Sequence, residues 1–302
     1  GAGVLSRKGN RTLGRLACLD PVVRVGLNAV IHGISHHVHD RIADFVDNGG
    51  KVILVSSRSG SFLEKLKDSL KHDLDYIASD GTLINIGGQC VFDRTFEPES
   101  CKKLLFDLRR DYDPGLIIMS TTTRPNVVTR TNVSKMTNLM YFIYMAFQGA
   151  YKEPVVRSDS VFYEELNKGQ VRKLMILIGL TKANQKRAEE ITGVLKQRYP
   201  DFEFVWCNQF IEITPKGCSK AHALSFCLDY LKINSHNVAV VGDSGNDAPM
   251  FQAFYENSYC MGHAKKSIRG LAKHTIARYS DLRPVLCPSE DSTPSEKEGK
   301  SQ

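Results

Sequence analysis

Val240-Val241-Gly242-Asp243-Ser244-Gly245-Asn246-Asp247-Ala248-Pro249-Met250 sets two carboxylates and an amide into a glycine-broken turn directly behind an apolar run. Residues 237–241 read as a strand buried on both faces, and residues 248–251 begin a helical pattern. The acids therefore stand at the carboxyl end of a parallel strand, where open α/β sheets bind their ligands. Carboxylates crowded there repel each other and lose solvation, which a hard cation or a hydrogen-bond network must offset. A lone Asp-Ser-Gly is ordinary turn and cap chemistry. The full string reads instead as a turn that holds a cation beside a phosphate.

Working outward, residues 15–19 and 51–55 are short buried strands. Ser35 is placed to cap a helix that runs to the stop at Gly49-Gly50, and a second helix is expected over residues 62–70. Strand, helix, strand, helix argues for a parallel sheet covered on both faces. After Ile77 the texture changes to glycines and short apolar runs, with helices expected over 101–109, 138–150 and 185–198 and strands over 173–179 and 202–207. The alternating pattern resumes at Ile211, through a helix over 219–231, the strand 238–241 and a last helix near 265–271. The expectation is a doubly wound parallel α/β core, residues 15–84 with 209–287, carrying an inserted α+β cap over 85–208. Residues 1–14 form a basic arm, and residues 288–302, rich in Ser, Glu and Lys, a tail without a core of its own.

Composition narrows the classes. The 302 residues, 42% hydrophobic and 24% charged, suffice for one large core or two modest ones. The longest dense apolar run, residues 139–147, is far too short to span a membrane. A net charge of +7, spread rather than blocked, suits an anionic substrate and does not argue for nucleic acid. Eight scattered cysteines without C-x-x-C spacing read as reduced thiols, which fits a cytoplasmic protein; the basic arm leaves an organellar leader as the alternative. His32, His36, His37 and His39 suggest metal ligation, but capping or solvated histidines fit better, since no third ligand follows at helical spacing.

Two further clusters stand at strand ends. Ser56-Ser57-Arg58 follows a buried strand and offers a hydroxyl and backbone N–H groups to an anion. Lys220 falls in the first turn of a helix, where a cation is electrostatically misplaced unless it serves an anion.

A hydroxyl after one strand, an insertion, a Lys at a helix start and then Gly-Asp-x-x-Asn-Asp: in this order the motifs resemble the haloacid dehalogenase superfamily, specifically its Cof-type capped phosphatases. Residues 76–81 resemble the family's turn into the cap, and Met261-Gly262-His263-Ala264 is similar to its Met-Gly-Asn-Ala. The resemblance implies a Mg²⁺-dependent phosphatase that works through an aspartyl-phosphate on small phosphorylated metabolites. It assigns the metal to Asp243 and Asp20, with Asn246 and Asp247 in support, a phosphoryl oxygen to Ser56, and a tether between nucleophile and phosphate to Lys220. Asp20 becomes the nucleophile.

The first motif departs from the family's D-x-D-G-T, for the chain has Asp20-Pro21-Val22-Val23-Arg24. Val22 stands at the acid/base position, and an isopropyl group forfeits general acid/base catalysis worth roughly 10²–10⁴-fold. A gapless count back from Ser56 even places Val22 rather than Asp20 at the nucleophile position. Asp80-Gly81-Thr82-Leu83 repeats the motif's letters, yet Ala78 then occupies the nucleophile position. Two functions therefore stand open. The favoured one is a pseudophosphatase, a ligand-binding or scaffolding protein that takes an anion or a protein partner. The other is an active phosphatase of small phosphorylated metabolites.

Overall fold

The computed structural model describes residues 16–19, 42, 43, 45–47, 49–130, 139, 143, 153–207 and 210–282, with the backbone alone at 16–19, 130, 279 and 280. In chain order its elements begin with β1 (Leu16–Leu19), β2 (Lys51–Val55), α1 (Gly60–Leu70), β3 (Asp75–Ala78), β4 (Leu83–Ile86) and β5 (Gln89–Asp93). There follow α2 (Pro98–Tyr112), β6 (Leu116–Thr121), β7 (Asn126–Arg130), β8 (Val155–Arg157), α3 (Asp159–Lys168), β9 (Val171–Leu177), α4 (Lys182–Arg198), β10 (Phe202–Cys207) and β11 (Phe210–Pro215). The chain continues through α5 (Lys220–Leu231), β12 (Val238–Gly242), α6 (Ala248–Ala253), β13 (Ser258–Met261), α7 (Lys266–Arg269) and β14 (His274–Ile276).

The first sheet has the order β14-β13-β12-β1-β2-β3-β4-β5, parallel from β14 to β3 and closed by two antiparallel strands. Alternation along its central strands divides the core between two faces. Ile53, Val55, Val238 and Val240 pack with Leu224 of α5 and Phe251 of α6, whereas Val52, Leu54, Ala239 and Val241 pack with Leu63 and Leu70 of α1. Helices on both faces explain why these strands read as unbroken apolar runs. The expected doubly wound α/β core with an inserted α+β unit is the fold observed.

The inserted unit is a six-stranded sheet of order β10-β11-β9-β6-β7-β8. Ile117, Leu174, Ile176, Ile211 and Ile213 point to one face, against Leu104 of α2, Phe162 of α3 and Leu195 of α4. Their neighbours Lys173 and Glu212 necessarily point to the other.

Two stretches lie in a different sheet from the one expected. Residues 211–213, read as resuming the core, belong to β11, which pairs antiparallel with β9 and β10. Residues 89–93, assigned to the insertion, form β5, the edge of the first sheet, beside β4. A short apolar run specifies a strand but not its partner, which pairing across the whole chain decides. The helix expected over 138–150 and His32 to His39 fall outside the described residues, apart from helical Leu139 and Ile143.

The β3–β4 connection fixes where α5 begins. Ser79, Asp80 and Gly81 follow one another at φ of 48°, 55° and 98°. A Cβ on Gly81 would lie 2.5 Å from the backbone oxygen of Ser219, the N-cap of α5. Gly81→Ala should therefore cost about 2 kcal/mol or more through strain and displacement of this cap. Urea denaturation of the variant measures this directly, and an unchanged midpoint would contradict the packing described.

Candidate functional site

Gly242 ends β12 where no other residue fits, since a Cβ there would meet the Asp247 carboxylate at 2.5 Å. The turn folds around that carboxylate. Asp247 Oδ2 accepts from the backbone N–H of Asp243 at 2.9 Å, that of Ser244 at 3.0 Å and the Ser244 hydroxyl at 3.2 Å. Its Oδ1 meets the Lys220 ammonium at 2.7 Å. Lys220 is the first residue of α5 and is only 1% exposed. A buried cation at a helix N-terminus opposes the helix dipole and loses its hydration, so the position is tenable only beside anionic or carbonyl oxygen. Asp247 and Asn246 Oδ1, 3.2 Å from Lys220 Nζ, supply it. Burial pushes the Asp247 carboxyl up, but the Lys220 charge and the bonds from Lys220, Ser244 and Asp243 outweigh it and hold the group below its ordinary 3.8.

Asn246 is the junction to the inserted sheet. Its Oδ1 also accepts from the Ser244 hydroxyl, while Nδ2 donates to Glu212 Oε2 at 3.1 Å and lies 3.5 Å from Asp80 Oδ1. Lys173 on β9 pairs with Glu212 at 2.9 Å and with Asp80, and reaches the Ser57 carbonyl at 3.4 Å. Burial pushes the Lys173 ammonium down, but the two carboxylates outweigh it and raise it above its ordinary value. Burial pushes the Glu212 carboxyl up and Asp80 adds to this, against the opposing charges of Lys173 and Lys220.

Ser56 is wholly buried after β2, its Oγ accepting from the Arg58 N–H at 3.2 Å and its carbonyl from the Asp80 N–H at 3.2 Å. Arg58 and Ser59 are held in turn by buried Glu153, at 3.2 Å from the guanidinium and 3.1 Å from the Ser59 N–H. Asp243 lies at the solvent side of the cluster, with Oδ2 2.9 Å from His263 Nε2. Burial and the neighbouring Asp247 charge raise the Asp243 carboxyl, which the His263 bond partly offsets.

Of the residues singled out in the sequence, the structure joins Lys220, Asn246 and Asp247 by direct bonds, with Asp243 and Ser56 at the ends of β12 and β2, the strands on either side of β1. Asp20 lies outside the described residues. Asp247 and Asn246, expected beside a metal, have every side-chain polar atom engaged in holding Lys220, Glu212 and the turn. Among the described residues no group of three or more His, Cys, Asp and Glu forms a metal cluster. The cluster nonetheless suits a cation. Among the described residues, four carboxylates, Asp80, Glu212, Asp243 and Asp247, face two ammonium groups, Lys173 and Lys220. Asp243 keeps Oδ1 uncommitted among the described residues, and a Mg²⁺ ion needs only one or two carboxylates with water and phosphate oxygens.

Sequence reasoning missed Lys173, Glu212 and the bond that His263 makes, and set Asp80 aside as a false motif. A charged residue centred in an otherwise apolar strand, as Glu212 is in Phe210-Ile211-Glu212-Ile213, was the available signal.

A family model for haloacid dehalogenase-like hydrolases matches residues 27–285, beginning after Asp20–Arg24. Among curated proteins, a probable sucrose-phosphatase of Arabidopsis thaliana is 38% identical over 65 residues, 20% of this chain and 15% of that protein. The curated relatives are matched over less than half of their own length. Among solved structures, a haloacid dehalogenase-like hydrolase from B. subtilis superposes with a TM-score of 0.69 at 17% identity, over 86% of this chain and 94% of that one. The subclass IIB sugar phosphatase BT4131 superposes with a TM-score of 0.66 at 18% identity, over 87% and 93%. At these identities the likeness is one of fold.

Lys220→Met leaves the Asp247 carboxylate buried without its cation and should cost about 3–5 kcal/mol in urea denaturation at neutral pH. Adding Asp247→Asn should recover part of that loss. The depressed Asp247 carboxyl stabilises the fold above its unfolded-state value of 3.8, a contribution lost as the pH falls through the lower folded-state value. The stability gap between wild type and Asp247→Asn should therefore close on acidification below 3.8; a constant gap would show that the pair does not act as described.

Proposed function

The chain belongs to the haloacid dehalogenase-like hydrolases, and on that premise we propose that it binds small phosphate monoesters with a divalent cation, as a phosphatase whose turnover is impaired at one step. The observation that carries this reading is the buried Lys220 ammonium, fixed by Asp247 and Asn246 beside Asp243 at the carboxyl ends of the parallel strands.

Each residue has a distinct task. Lys220 neutralises a phosphoryl oxygen and the nucleophile, and its position is set before substrate arrives, so little reorganisation is needed. Ser56 presents its hydroxyl to a second phosphoryl oxygen. Leu19 is level with Val241 and Leu54 across the sheet, so the residue following β1 in the sequence, Asp20, is the nucleophile in this reading. Asp243 and Asp20 would hold a Mg²⁺, with Asn246 and Asp247 acting behind them as positioning groups. When bound, that ion neutralises phosphoryl charge. Lys173 and Glu212 approach from the inserted sheet, which serves as the cap and excludes water. Val22 leaves the leaving alkoxide without a proton donor and the attacking water without a base. The relatives named as phosphatases of sugars suggest a sugar phosphate as substrate class.

The impairment falls on leaving groups that need protonation. With Mg²⁺, an aryl phosphate should turn over measurably faster than sugar phosphates, and Asp243→Asn should abolish both activities. Val22→Asp should raise sugar-phosphate turnover by about 10²–10⁴-fold. Sugar-phosphate turnover that exceeds the aryl rate and is unchanged in Val22→Asp would show a fully active phosphatase. Absence of both phosphate binding and turnover in wild type and Val22→Asp would overturn the reading altogether.

A further inference from the structure

Glu153 carries a charge from the inserted unit to the connection between β2 and α1. It lies two residues before β8, the edge strand of the inserted sheet, and is only 4% exposed. A carboxylate so buried is tolerable only where it is paired and hydrogen-bonded. Its Oε2 is 3.2 Å from Arg58 Nη1, while Oε1 accepts from the Ser59 N–H at 3.1 Å and from the Ser59 hydroxyl. Ser59 is the N-cap of α1, a helix with no acidic residue in its own first turn. A carboxylate is favourable at that end, and the inserted unit supplies it. The Arg58 guanidinium also rests on the Phe62 ring, 5.5 Å from its centroid.

The clamp ends close to Ser56. Lys173 reaches the Ser57 carbonyl at 3.4 Å, so the inserted unit holds each of the three residues that follow Ser56. From the other side the β3–β4 connection holds the same loop, the Ser79 N–H donating to Arg58 O at 2.8 Å and the Asp80 N–H to Ser56 O at 3.2 Å. Between these supports the Arg58 N–H donates to Ser56 Oγ at 3.2 Å. A serine hydroxyl has two lone pairs and one proton. With one lone pair taken by Arg58, the proton is uncommitted among the described residues and is left for a ligand.

Resting on the reading that Ser56 donates to a phosphoryl oxygen, we propose that Glu153 is a positioning residue: by clamping Arg58 and Ser59 it fixes the Arg58 N–H on Ser56 Oγ, so that the hydroxyl is aimed at phosphate only while the inserted unit is seated on the first sheet. A donor held in place beforehand costs little reorganisation when the ligand binds. Lys220 is fixed by Asp247, within the first unit. The two phosphate contacts are thus set by different means, and seating of the inserted unit completes the second.

The test is calorimetric titration of the full chain with inorganic phosphate in the presence of Mg²⁺, for wild type, Ser56→Ala, Glu153→Ala and the double variant, each first shown to be folded by urea denaturation. Ser56→Ala should weaken phosphate binding about tenfold or more, the loss of one hydrogen bond to a charged group. Glu153→Ala should weaken it by a comparable factor, yet by less than about twofold in the Ser56→Ala background, since residues that act through one contact are not additive. Glu153→Gln, which keeps an oxygen for the Ser59 N–H, should recover part of the loss, and it replaces Glu153→Ala in the cycle should that variant not fold. Phosphate binding unaffected at position 153, or losses that multiply in the double variant, overturns the inference and leaves the proposed function standing. Unchanged binding in Ser56→Ala strikes the inference together with the task given to Ser56, and no binding to wild type removes the whole reading.

Discussion

The Lys220–Asp247 pair is the contact on which the rest of the site depends. Both groups are removed from water, and each is tolerable only because the other is there. The consequences spread along the backbone. To meet Lys220, Asp247 must fold back over Gly242, and in doing so it gathers the Asp243 and Ser244 N–H groups around its second oxygen. That same fold sets Asp243 at the end of the parallel strand and aims Asn246 at the inserted sheet. One ion pair thus fixes the positions of Asp243, Ser244 and Asn246, all three in the turn that follows β12.

The seam between the two sheets is polar where most interior seams are apolar. Lys173, Glu212, Asp80 and Asn246 form a closed set in which each charged group meets an opposite charge or an amide, and Lys265 lies over the Trp206 ring at 5.6 Å nearby. Such a seam contributes less to stability than an apolar one of equal area, because desolvation of the charges consumes much of their attraction. Its groups are the kind that recognise a polar ligand and would exchange internal partners for it. Burial first, and the neighbouring carboxylates second, raise the Glu212 and Asp243 carboxyls above their ordinary values.

Much of this was legible along the chain. Residues 240–250 announce a strand, a turn and a helix start within a short span, and Lys220 declares itself as a cation at a helix start. The two-faced burial of β2 and β12 followed from their unbroken apolar runs, which half-buried strands do not show. Harder to read were the strands of the insertion. Phe210-Ile211-Glu212-Ile213 has a strand pattern, but nothing in it says that it pairs with β9 and β10 rather than with the parallel sheet, and the reading went to the wrong sheet. Asp80 was set aside because its neighbours do not complete the first motif, yet the left-handed turn at Ser79 and Asp80 carries its carboxylate to Lys173.

The sequence by itself determined which residues stand at the strand ends and the class of chemistry they suit, because strand, turn and helix start are set by neighbours within a few positions. Only the tertiary structure decided which charges meet. Lys173 and Glu212 come from two strands of the inserted sheet and Asp80 from the β3–β4 connection of the first, and His263 reaches Asp243 from the turn after the next parallel strand. Pairing of that kind depends on register and on which face of a sheet looks inward, and a one-residue shift would turn Lys173 and Glu212 away into the apolar face. The turn at Gly242 to Asp247 is thus marked locally in the sequence, whereas its partner Lys220 and the site around it are brought together by the fold.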